Sequence, residues 1–275
     1  MKVGDLKPAP RTPDRCIWCL REPPVVTFDL SHVLPECVGN KYQHVLPRGV
    51  VCKECNAYFG AKIEPVLLDD PLFHVIAVFL AVVDPDDMNA FRSRIFDATH
   101  PPVNPPVRSL NLKTHLKEKG MTLDVSYSIQ GQLNRQYSLK DMQRLSRAIH
   151  KIAFESLAWS LYVRGDDKDV QEHSTRLDVY SSTFEPIRAW ARRGIPQNSV
   201  RPVLRRPATT LAVEWEVRQW AFPKFLAAEI SLFGDWYAVA LTSDHSKALE
   251  HLRSTRVPTG KDENIWVIGD SFRRL

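Results

Sequence analysis

Cys16-Ile17-Trp18-Cys19 and Cys52-Lys53-Glu54-Cys55 decide the fold of the first part of this chain. Each pair leaves two residues between its cysteines, a gap that lets both sulfurs turn toward one ion. Two such pairs supply the four soft ligands that tetrahedral zinc takes at about 2.3 Å. The 32 residues between Cys19 and Cys52 then become a loop closed by metal. Structural zinc contributes roughly 10–16 kcal/mol in small modules, enough to fix a unit that could not bury a core of its own. Four thiolates leave no open position for water, so this ion is scaffold. The fifth cysteine, Cys37, stands alone and reads as a small, partly buried residue.

Between and after the knuckles the local pattern gives strand, loop, strand, helix. Val25 to Val33 is rich in β-branched and apolar residues and is ended by Pro35 and the turn signal Gly39-Asn40. Val50-Val51 continues as a short second strand. Lys53 to Glu64 holds good helix formers apart from Gly60, and Pro65 stops the run. Such a ββα unit carries Asp29, Ser31, His32 and Pro35 on or just beyond its first strand, and Asn56 at the start of its helix.

The combination Ser31-His32-Val33-Leu34-Pro35, Gly39-Asn40 and Cys55-Asn56, framed by two knuckles, resembles the HNH endonuclease family, in particular its members with a four-cysteine zinc site. The resemblance covers about Cys16 to Glu64. It implies that His32 is the general base, that Asn56 holds a catalytic divalent metal, and that Asn40 orders the active-site loop; as a turn residue beside glycine, Asn40 has an equally ordinary explanation. Ser31 stands where most members have an acidic metal ligand. Asp29, two residues earlier on the strand and so expected on the same face, can share that task. Glu64, about two helical turns past Asn56, and His44 on the loop are further candidates. Histidine's ordinary ionisation just below neutrality suits proton abstraction from water. Mg2+ or Mn2+, held by hard oxygen ligands, suits the phosphate and the leaving oxygen. The implied function is metal-dependent hydrolysis of nucleic acid, double-stranded DNA before RNA, of the kind found in bacterial defence. The alternative is a non-catalytic zinc module that binds nucleic acid or a protein partner.

Charge agrees with a polyanionic partner without specifying one. The chain has 275 residues with 37 Lys and Arg against 32 Asp and Glu. Arg188, Arg192, Arg193, Arg201, Arg205 and Arg206 form a run with no acidic residue inside it, a candidate for bidentate phosphate contact. Lys140, Arg144, Arg147 and Lys151 recur at helical spacing, either as a phosphate-tracking stripe or as the solvated face of an amphipathic helix.

The whole chain reads as α+β in three parts. Residues 1–70 form the zinc-stapled ββα module, 71–200 a mainly helical region, and 201–275 a β-rich region. In the middle part, Leu72 to Val83 reads as a buried helix too short to span a membrane. A stretch with Leu123, Val125, Tyr127 and Ile129 alternates, and a long helix runs from an N-cap at Ser138 to about Arg164. In the last part, Leu211, Val213, Trp215 and Val217 alternate, Gly234-Asp235 marks a hairpin, and Ser246 to Leu252 could form a final helix. Trp215, Trp220, Trp236, Tyr237 and Trp266 there are either core or a surface for a regulatory partner or a second copy of the chain. The N-terminal residues lack the apolar core of a secretory signal, and paired cysteines suit a reducing compartment, so the expected location is the cytoplasm.

Overall fold

In the computed structural model the described residues are 14–35, 44–68, 108–116, 121–129, 139–162, 178–197, 200–206, 210–211, 215–221, 226–232, 235–242, 250, 266–268 and 272–274. Cys37, Asn40, the expected helix at 72–83 and, apart from Glu250, the expected helix at 246–252 lie outside them.

The N-terminal unit is the expected strand, strand and helix. Strand β1 (Phe28–His32) pairs antiparallel with β2 (Val45–Cys52). The partner of Asp29 is Val51, but the partner of Ser31 is Leu46, so the segment between those two partners on β2 leaves the ladder. Pro47, which has no N–H to donate, and Gly49, at φ 103°, lie in that excursion. The second strand is therefore longer than the Val50-Val51 pair indicated, because a ladder interrupted in the middle resumes at Val45. Helix α1 (Lys53–Lys62) starts directly after β2 and its first N–H, on Lys53, is taken by the Thr27 carbonyl at 2.8 Å. Pro65 then opens the single turn α2 (Pro65–Leu68), where its missing N–H costs nothing.

Beyond it, β3 (Arg108–Leu116) and β4 (Met121–Ile129) form an antiparallel hairpin, and the alternating stretch Leu123 to Ile129 falls on β4. Helix α3 (Leu139–Tyr162) follows, near the predicted span. After it come a 3-10 turn (Ser182–Phe184), one α turn (Glu185–Ile187) and a π-helical turn (Arg188–Arg193). The C-terminal part is strands: β5 (Val203–Arg206), β6 (Thr210–Leu211), β7 (Trp215–Ala221), β8 (Leu226–Leu232), β9 (Asp235–Ala240), β10 (Trp266–Ile268) and β11 (Phe272–Arg274). Six of them form an antiparallel sheet in the order β11-β10-β5-β9-β8-β7, while β6 adds to the β3-β4 hairpin. Strands β8 and β9 are antiparallel with Leu232 paired to Asp235, and Gly234 of the expected hairpin signal lies outside the described residues.

Helix α3 is the centre of this architecture. It packs against β2, α2 and the π-helical turn, and also against β7, β8 and β9. Every residue from Ala148 to Ala158 is buried, including His150, Lys151, Glu155 and Ser156. A single hydrophobic cluster accordingly runs from Trp18 and Phe59 through Phe154 and Leu157 to Ile230 and Val239. Among the described residues no helix is long and apolar enough to cross a membrane.

Candidate active site and metal centre

The thiols of Cys16, Cys19, Cys52 and Cys55 come together with all four Sγ atoms within 4.8 Å of one another. A zinc ion bonded at about 2.3 Å to four sulfurs sets them about 3.8 Å apart along the edges of a tetrahedron. The Cys19 and Cys52 sulfurs are 3.7 Å apart, so the spacing fits such an ion. The electrostatics fit as well. Hydrogen bonding from Cys16 lowers Cys52 to about 2, while Cys16 is pushed up to about 12 by its hydrogen bond to Cys52, and Cys55 is raised chiefly by its bond with Cys16. Four thiols this close cannot all ionise unless a cation sits among them.

Three sulfurs also accept hydrogen bonds from the surrounding protein. The Cys52 N–H donates to Cys16 Sγ at 3.4 Å, Arg21 Nε to Cys19 Sγ at 3.4 Å, and Arg192 Nε to Cys55 Sγ at 3.3 Å. Four thiolates around a dication keep an excess of negative charge, and two guanidiniums lie against it. Arg192 also stacks 4.4 Å from the Tyr58 ring centroid.

The sulfur cluster ties the first knuckle to the end of β2 and the start of α1, and a second tie forms between α1 and β1, the strand paired with β2. Asn56, one residue past the last cysteine, donates from Nδ2 to the Leu30 carbonyl at 3.0 Å, and its Oδ1 accepts from Ser31 Oγ at 3.2 Å. Its carboxamide thus pins α1 to the strand that ends in His32. Ser31 is fully buried, whereas Asp29 and His32 are half-buried. Residues 16–72 match the HNH endonuclease family. The match covers the N-terminal region of the chain, and no curated protein and no solved structure matches it.

Within the HNH region the structure separates residues that the sequence placed together. Asp29 and Ser31, two apart on a strand, should share a face, but the register shift between them breaks the alternation. Asp29 keeps partial access to solvent, its Oδ1 accepting from the Leu30 N–H at 2.9 Å. Ser31 is turned inward, its one hydroxyl proton shared between Asn56 Oδ1 at 3.2 Å and Glu155 Oε2 at 3.1 Å. His44 lies across from Val33, whose N–H its carbonyl accepts at 3.1 Å, and its ring packs 4.2 Å from that of Trp159. Glu64 does not reach toward Asn56 but pairs with Lys151 Nζ at 2.9 Å.

That pair belongs to a buried charge cluster at the junction of the HNH region with α3. Lys151 Nζ lies 2.9 Å from Glu64 and 3.0 Å from Glu155, and donates to the His32 carbonyl at 2.5 Å and the Val33 carbonyl at 3.3 Å. Glu155 Oε1 accepts from the indole N–H of Trp18, inside the first knuckle, at 2.9 Å. Burial pushes the Glu155 carboxyl up against the pull of the Lys151 ammonium. Burial pulls Lys151 down, but Glu155 and Glu64 outweigh it and the net shift is upward. The basic face of α3 is therefore neither solvated nor free for phosphate at Lys151, because the HNH region covers it. Arg147, one turn earlier, donates to the Ala191 carbonyl at 3.0 Å.

Of the arginine run from 188 to 206, Arg188 and Arg205 are likewise drawn into the protein. Arg188 is 2% exposed and donates to the Val179 and Ser181 carbonyls at 2.9 and 2.8 Å. Arg205 is buried against Asp235, with Nε 3.0 Å from Oδ2. Arg201 donates to the Ala240 carbonyl at 3.1 Å, and burial lowers it to about 10. Arg193 pairs with Glu185, and Arg206 lies 5.5 Å from the Trp236 ring centroid. The run has no acid inside it, yet its partners Glu185 and Asp235 come from just outside in sequence and across the sheet. Sequence reading missed the roles of Trp18 and Glu155, and it named Lys151 only as part of a basic helix face. The four-residue spacing of Lys151 and Glu155 was a visible signal, but nothing in it told a buried pair from a surface one.

Proposed function

We propose that the HNH region hydrolyses phosphodiester bonds of nucleic acid, with His32 as general base and the four cysteines holding a structural zinc ion. The observation that supports it most is the tie between α1 and β1. The Asn56 carboxamide, engaged with Ser31 and the Leu30 carbonyl, sets the helix start beside the strand whose last residue is His32. Preorganising two elements in this way is what a reaction that needs an oriented water and a stabilised phosphate requires. Hard oxygen donors suited to Mg2+ or Mn2+ are the Asp29 carboxylate and Asn56 Oδ1, while burial removes Ser31 from that set. Such an ion, when bound, supplies charge neutralisation at the phosphate. His32 takes the proton of the attacking water, and Asn56 keeps the strand and helix in register. Of the arginines, Arg193 is half-exposed, with its side chain at 50%, and is the one we assign to backbone phosphate contact.

One observation favours a non-catalytic zinc module instead. Ser31 is sealed in the interior and both polar arms of Asn56 are already hydrogen-bonded. Plasmid nicking and RNA cleavage, measured with Mg2+, with Mn2+ and with EDTA, decide between them. Metal-dependent cutting that is lost in His32→Ala, with zinc content and melting behaviour retained, is the expected result. Cutting that survives the substitution, or no cutting by the unaltered protein, would end the nuclease reading.

A further inference from the structure

We propose that Lys151 is a positioning residue for this reaction: its ammonium, held between Glu64 and Glu155, grips the end of β1 and fixes where the His32 imidazole stands. The proposal rests on the nuclease reading above. An ammonium carries three N–H donors and no acceptor. Around Lys151 Nζ stand four oxygens, namely Glu64 Oε1 at 2.9 Å, Glu155 Oε2 at 3.0 Å, the His32 carbonyl at 2.5 Å and the Val33 carbonyl at 3.3 Å. His32 is the last residue of β1, and the peptide leaving it keeps one cross-strand bond, from the Val33 N–H to the His44 carbonyl at 3.1 Å, while its own carbonyl faces Lys151. The ammonium donates to both successive carbonyls, of His32 and Val33.

The grip is itself anchored from separate elements. Glu64 follows α1, the helix that carries Asn56, and Glu155 is held by the Trp18 indole at 2.9 Å and by Ser31 Oγ at 3.1 Å. Lys151 is 1% and Glu155 0% exposed, so no water competes for these bonds and no neighbouring charge is screened. The arrangement links the zinc knuckle, β1, the end of α1 and α3 through one nitrogen. Displacement of a reacting group by about 1 Å can cost about a hundredfold in rate. A side chain that fixes the peptide of the general base therefore acts on turnover rather than on substrate affinity.

The test uses the full chain with Lys151→Met, Lys151→Arg and the double variant Lys151→Met/Glu155→Gln, in which the fully buried carboxylate is neutralised together with the ammonium and only the partly exposed Glu64 keeps its charge. Four quantities are read: kcat and KM for plasmid nicking, bound zinc, and the 13C shift of the His32 carbonyl by NMR. Lys151→Met should lower kcat about a hundredfold with KM nearly unchanged, and should move the His32 carbonyl shift upfield as its cationic donor is lost. Lys151→Arg, which keeps a cationic donor, should keep kcat within about tenfold of the parent. If Lys151→Met does not fold, the double variant gives the same reading. Parental kcat or an unmoved carbonyl shift in a folded, zinc-loaded variant lacking the ammonium overturns the proposal. An unaltered protein that cuts nothing, while the carbonyl shift still follows Lys151, refutes the nuclease reading itself and reduces Lys151 to a structural role.

Discussion

Replacement of Glu155 by alanine probes the junction between the HNH region and α3 most directly. Glu155 is fully buried and accepts from Trp18 Nε1 at 2.9 Å and Ser31 Oγ at 3.1 Å, besides facing Lys151 at 3.0 Å. Without it, Lys151 keeps Glu64 alone, and the indole N–H loses its partner in a dry interior. Removing one member of a buried ion pair costs about 3–5 kcal/mol, and a buried donor left unmade about 1–3 kcal/mol. The two losses share one network and do not simply add, which sets the expected destabilisation at about 4–6 kcal/mol. That is a large part of the roughly 5–15 kcal/mol by which folded domains are stable. Glu155→Gln, which keeps an acceptor for Trp18, should lose distinctly less. Urea unfolding followed by tryptophan fluorescence measures both. Glu216→Ala serves as the contrast, because Glu216 and Arg218 pair at 58% and 60% side-chain exposure, where an ion pair contributes about 0–1 kcal/mol. A Glu155→Ala protein within about 1 kcal/mol of the parent would refute the claim that this pair is buried and committed.

Two further outcomes follow from local geometry. Cys52→Ala removes one of four converging sulfurs, and the protein should lose bound zinc by elemental analysis together with cooperative melting of residues 16–68, since metal affinity and folding of such a unit are one free energy. Gly194 closes the π-helical turn at φ 67°, ψ 39°, so Gly194→Ala should cost about 1–2 kcal/mol in chemical denaturation; the added Cβ would also meet Arg147 Nη1 at 3.1 Å.

The N-terminal unit was readable because its signals are local. Two cysteine pairs fix the metal geometry, Pro65 ends α1, and the apolar run before His32 makes a strand whatever surrounds it. Long-range packing was not readable in the same way. Lys151 and Arg147 lie opposite the apolar stripe of α3, and periodicity alone assigns such a face to solvent. It is buried because the HNH region lies against it and supplies Glu64 and two strand carbonyls as partners, none of which is near in sequence. Arg188 and Arg205 were not readable for the same reason, as they find carbonyls and Asp235 only after the chain has folded. The inward turn of Ser31 depends on a register shift in the ladder, and that shift depends on how Pro47 and Gly49 leave β2.

The ammonium at the centre of the Glu64 and Glu155 cluster makes the HNH region a poor cassette. Excised at residue 72, it would carry away an indole with no acceptor, a serine left with Asn56 alone and two carbonyls whose cation stayed behind on α3. Transplanting it into another protein would mean transplanting the helix as well.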